Sequence, residues 1–131
     1  MTTEIKVEIS CGELIDKLTI LSIKAEKIKN LDKLKNVKHE YEVLNKISEQ
    51  LRDLNLNKFT LFYEELKEIN SRLWDIEDEI RKCEKDGNFG DEFTQLARSV
   101  YITNDKRFQT KNNINAFFSS GIVEEKDYED Y

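Results

Sequence analysis

The residues best placed to do chemistry lie along one stripe in the last third of the chain. Read at steps of four and three, the stripe is Phe93, Ala97, Val100, Asn104, Arg107, Lys111, Ile114 and Phe118. That spacing places all eight on one face of a helix. The outer members are apolar, but the three in the middle are polar and two of them are cationic. A buried charge needs a carboxylate, water or a ligand beside it, because unpaired burial is costly. Arg98, Tyr101 and Asp105 flank the stripe at helical spacing. In the preceding helical stretch, Trp74, Glu77, Asp78, Arg81 and Glu84 follow one another beside a separate apolar seam. Together these residues outline a polar pocket between two helices. Arg98, Arg107 and Lys111 would fork onto a phosphate or carboxylate, and Trp74 or Tyr101 would stack. Glu77, Asp78 or Asp105 would serve as general base or metal ligand. Against the pocket stand two plainer readings. One is a structural ion-pair network in which Glu77 or Asp78 meets Arg107 or Lys111. The other is a helix broken near Thr103-Asn104-Asp105. The residue types favour the plainer side.

Other chemistry finds less support. Cys11 and Cys83 stand far apart and His39 is the sole histidine, so no zinc spacing exists and the cysteines read as small hydrophobes. A di-iron bundle would need two glutamate-x-x-histidine pairs, and position 36 is asparagine. Phosphate-loop, dinucleotide and metalloprotease motifs are missing, and no triad surrounds His39. The pairs Glu65/Glu68 and Asp75/Asp78 share one helix and lack a facing pair for magnesium. Lys24 to Lys38 holds six lysines without arginine or interleaved aromatics, which suits a solvated turn better than a nucleic-acid surface. No metal and no cofactor are expected.

The elements that must position these residues are helices. Glu4, Lys6 and Glu8 alternate with Ile5, Val7 and Ile9, which predicts one short half-buried strand over residues 4–9. Ser10 and Glu13 have capping-box spacing and start a helix over 11–29. Its seam is Leu14, Leu18, Leu21, Ala25 and Ile28, while Ile20 and Ile23 project from the other side. A helix apolar on two faces is either central or a subunit contact. A second helix over 33–53, capped by Asp32, carries Leu34, Val37, Tyr41, Leu44, Ser48 and Leu51. Leu54-Asn55-Leu56-Asn57 interrupts it before a third helix over 58–85 with the seam Phe62, Leu66, Ile69, Leu73, Ile76, Ile80 and Cys83. Gly87 stops that helix. Asp91 caps a fourth over 91–118, ended by Ser119-Ser120-Gly121. The expected fold class is all-α, an antiparallel four-helix bundle or paired long helical hairpins with one short N-terminal β-strand, in a single domain over 1–121.

Composition agrees. The 131 residues contain no proline and four glycines, too little turn material for a many-stranded sandwich or barrel. No apolar run reaches the ~20 residues of a membrane span, and residues 1–10 lack the apolar core of a signal peptide, so a cytoplasmic protein with no membrane partner is expected. The net charge of −6 is concentrated in residues 122–131, which hold five acids and one lysine and read as a solvated acidic tail. The body is nearly balanced.

Several blocks resemble a family of short bacterial proteins of unknown function. They are Glu4 through Leu21, with Ile5-Lys6-Val7-Glu8-Ile9-Ser10-Cys11-Gly12-Glu13-Leu14 at its start; Asn36-Val37 with Glu40; and Leu73-Trp74-Asp75-Ile76-Glu77-Asp78-Glu79-Ile80-Arg81. Leu96 through Tyr101, Asn104 through Arg107, Lys111, Ile114-Asn115 and Val123 through Tyr128 complete the likeness, which covers nearly the whole chain. The resemblance implies no assigned activity. The expected function is therefore association without catalysis, with a second copy of the chain as partner. The two-faced first helix and the wide apolar face of the second, Val43, Leu44, Ile47, Leu51 and Leu54, motivate it. The alternative is a small enzyme or binding protein for a small anionic ligand, a phosphorylated metabolite such as a nucleotide or nucleotide-sugar. Nucleic acid is not an expected partner.

Overall fold

In the computed structural model, which describes residues 1–131, four helices follow one another: α1 (Cys11–Lys27), α2 (Leu31–Leu54), α3 (Leu56–Asp86) and α4 (Asp91–Phe117). No strand is present. The alternating segment 4–9 is extended, but it has no second strand to pair with, and none of its backbone groups makes a backbone hydrogen bond. Alternation marks a segment with an apolar side; a strand also needs a neighbour. None of the helices is both long and apolar enough to cross a membrane.

Local chemistry explains the helix ends. Ser10 caps α1, its side chain accepting from the Glu13 amide at 3.1 Å, which is half of the capping box. The other half is not made, because the Glu13 carboxylate turns to Lys111 instead. Asn30, not Asp32, caps α2 by accepting from the Lys33 amide. The interruption at Leu54–Asn57 shrinks to one residue. Asn55 ends α2 and also caps α3 through the Lys58 amide. Gly87, at φ 67°, closes α3 in the left-handed conformation that a Cβ disfavours, and the Asn88 amide bonds back to the Cys83 carbonyl. Gly90 precedes α4 without any side-chain cap, so Asp91 is the first helical residue and its charge serves the helix dipole.

The central helix is α1, which packs against the other three, whereas α2 and α4 do not touch each other. Leu14, Ile15, Leu18, Leu51, Phe59, Leu66 and Ile114 form the core. Helices α2 and α3 run antiparallel, with Tyr41 facing Tyr63 and Arg52 lying over the Phe59 ring. The α3–α4 pair is also antiparallel, with Phe62 against Phe117 and Thr110 bonded to Glu65 at 3.0 Å. Thus the two hairpins have α3 in common, and α1 packs against both.

Candidate functional site

Helix α4 is unbroken through Thr103-Asn104-Asp105, and every member of its stripe from Phe93 to Phe118 is buried or half-buried. The polar midsection therefore does face inward. Its partners come from α1, not from the expected Glu77 and Asp78. Asp16 is fully buried, and Arg107 forks onto it, Nε to Oδ1 at 2.9 Å and Nη2 to Oδ2 at 2.5 Å. Asn70 on α3 donates both amide hydrogens, one to Asp16 Oδ1 and one to Thr19 Oγ1, each at 2.9 Å. Thr19 in turn donates to the Asp16 carbonyl at 2.7 Å. Three hydrogen bonds, two to Oδ1 and one to Oδ2, with the guanidinium charge beside them, allow this carboxylate to sit in the centre of the fold.

One turn further along α4, the buried Lys111 ammonium bonds Glu13 and Glu124, both at 2.8 Å. Burial works against this ammonium, and the bonds to Glu124 and Glu13 more than offset it, so its pKa stands above the ordinary lysine value. The Arg107 guanidinium is likewise held more basic, first by its bond to Asp16. The tail is thus not wholly solvated: Glu124 reaches back into the fold, and Tyr131 bonds Asp105 and packs edge-to-face on Tyr101.

The start of α1 is tied to the end of α4. An α-helix leaves its first amides without helical partners. Here the Gly12 amide donates to Asn115 Oδ1 at 2.7 Å and the Cys11 amide to Ser120 Oγ at 3.1 Å. Such closeness requires glycine at position 12, since a Cβ there would lie 2.5 Å from the Lys111 carbonyl oxygen.

Beside the Asp16–Arg107 pair, α1, α3 and α4 enclose an open cleft of about 470 Å³. It gathers six of the ten expected site residues: Trp74, Glu77, Asp78, Arg81, Asn104 and Arg107. The other four lie elsewhere. Lys111 is sealed in its glutamate pair, and Arg98 is exposed and bonded to Gln95 at 3.3 Å. Tyr101 and Asp105 stand on the outer face of α4 under the tail. Glu77 does not cross to α4 either; it pairs with Arg81 one turn along its own helix. Within the cleft the charges nearly cancel. Arg107 answers Asp16 and Arg81 answers Glu77, leaving Asp78 without a cationic partner.

Sequence reasoning missed Gly12, Asp16, Thr19, Asn70 and Asn115. One signal was available for Asp16, because it precedes Ile20 by four and thus continues the second buried face of α1. A family model described as a family of unknown function (DUF6165) matches residues 5–131. The chain belongs to this family. No curated protein and no solved structure matches it. DUF6165 membership brings no activity with it, so the chemistry has to be argued from the residues of the chain.

Proposed function

We propose that this DUF6165 protein acts without catalysis, by associating with a second copy of itself in the cytoplasm. One observation carries the reading. The chain exposes 9581 Å² of surface, whereas a compact monomer of its 15.5 kDa would expose about 7,200 Å². The excess is enough for a homodimer interface of ordinary size. An apolar region is available to fill it: Ile5 and Val7 of the extended segment lie beside Val43 and Ile47 of α2, all four exposed around an open groove. Exposed apolar side chains grouped around one groove support association there. The absence of chemistry is supported by how the polar groups are spent, since the cations of the α1–α4 seam hold structural carboxylates and His39 is exposed on α2. Two free cysteines suit a reducing compartment.

Light scattering at micromolar concentration tests the proposal. The expected mass is about twice 15.5 kDa. The double variant Val43→Glu/Ile47→Glu, which alters only exposed side chains, should halve it while leaving helix content unchanged. A strict monomer in the unaltered protein overturns the reading. A phosphorylated ligand draws less support from the cleft, because both of its cations are already neutralised.

A further inference from the structure

We propose that the cleft between α1, α3 and α4 binds an uncharged planar ring with hydrogen-bonding edges, the nucleobase of a nucleoside, and does not bind phosphate. The inference starts from what the cleft has left over once its internal bonds are made. Arg107 cannot leave Asp16 for an anion, because Asp16 is fully buried and would lose its counter-charge, so the guanidinium charge is already balanced and only its outer nitrogen is left to donate. Arg81 pairs with Glu77 one turn along α3, an exposed pair that still balances its charge. With Asp78 added, the charge around the cleft sums to slightly negative, which repels phosphate.

The leftover groups instead suit a neutral ring edge. Asn70, 5% exposed, is among the residues that line the cleft, and with both its amide hydrogens used its Oδ1 is the polar group it has left to offer. Arg107 spends Nε and Nη2 on Asp16, so Nη1 remains a donor. Asn104 adds a donor and an acceptor, and Asp78 adds acceptors at the mouth. Acceptors and donors are thus both present around a space that is also lined by Trp74 with apolar Ile20, Ile23 and Leu73. An aromatic face beside a few placed amides and a carboxylate is how proteins read base edges while stacking the ring. About 470 Å³ lies within the range of small-ligand sites and is roomy enough for a nucleoside.

Trp74 is the only tryptophan in the chain, so its fluorescence reports the cleft directly. The experiment titrates the full chain with adenosine, guanosine, cytidine and uridine, then with their 5′-monophosphates, inorganic phosphate and a neutral disaccharide, and repeats the positive cases by calorimetry. Saturable binding of at least one nucleoside is expected at one per chain, with the matching monophosphate no tighter. Asn104→Ala and Asp78→Ala should each weaken it about tenfold, the loss of a bond worth about 1.4 kcal/mol, without changing helix content. The result should be the same in Val43→Glu/Ile47→Glu, so the outcome does not depend on self-association. Absence of saturation by any nucleoside at millimolar concentration overturns the proposal. Tighter binding of monophosphate or phosphate makes the cleft an anion site and overturns it too, as does a response to the disaccharide alone.

Discussion

Asp16 and Arg107 form one pair but are not equivalent members of it. The Asp16 side chain is 1% exposed and the Arg107 side chain 28% exposed. Removing the arginine leaves a carboxylate with no route to water; removing the carboxylate leaves a guanidinium that can turn outward. Arg107→Met should therefore destabilise by about 4 kcal/mol and Asp16→Asn by clearly less, near about 2 kcal/mol, because a broken buried pair costs most where the surviving charge is most deeply desolvated. Urea denaturation followed by circular dichroism measures both, and equal losses would show that burial does not set the cost. In the sequence the arginine stands out more clearly than its partner. A cation within an apolar stripe is conspicuous. An aspartate in the second turn of a helix, next to Lys17, looks like an ordinary surface residue.

Between elements, the approach of α1 to α4 turns on Gly12. With backbone as its obstacle, a Cβ there cannot be relieved by a rotamer change, so α1 must move off the Asn115 and Ser120 acceptors. Gly12→Ala should cost about 3 kcal/mol, at the upper end of overpacking losses. Gly90→Ala, whose nearest obstacle is a side-chain oxygen at 3.7 Å, should cost clearly less, about 1 kcal/mol at most, for the poorer N-cap. Thermal melting of the two variants checks the contrast. Helix lengths and seams follow from periodicity because each helix makes its own backbone bonds. The extended segment at 4–9 illustrates the converse: its pattern is real, yet its hydrogen bonds depend on an element that the chain does not supply.

For the whole molecule, the balance of protons between folded and unfolded chains fixes where stability is lost. Burial, with help from the Tyr63 hydroxyl, pushes the Tyr41 phenol up to about 12, and Lys111 is also held above its ordinary value. Unfolded tyrosine and lysine release their protons near about pH 10 to 10.4. Above that point the folded chain retains protons that the unfolded chain has shed, so stability falls as pH rises through the folded values. Urea midpoints should hold steady up to about pH 10 and decline between about 10 and 12. Tyr41→Phe should flatten part of the decline, and an unchanged slope in that variant would remove Tyr41 as a cause. Self-association belongs to the same scale. A surface about a third larger than a compact monomer's sums the exposed terminal segments and the outer faces of all four helices, and no single residue announces it.

Several features were determined by the sequence alone. The all-helical character, the stripe of α4 with its inward cations, the stop at Gly87, the shared face of Trp74, Glu77, Asp78 and Arg81 on α3 and that of Asn104 and Arg107 on α4 all rest on intervals of three and four residues, which a helix converts directly into direction. Tertiary structure alone decided the partners: Asp16 in place of Glu77 or Asp78, Glu124 returning from the tail to Lys111, and the exclusion of Arg98, Tyr101, Asp105 and Lys111 from the cleft. Helical periodicity states which way a side chain faces. What it meets there depends on the rotation and height of a neighbouring helix, and those are set by packing distributed over the whole core.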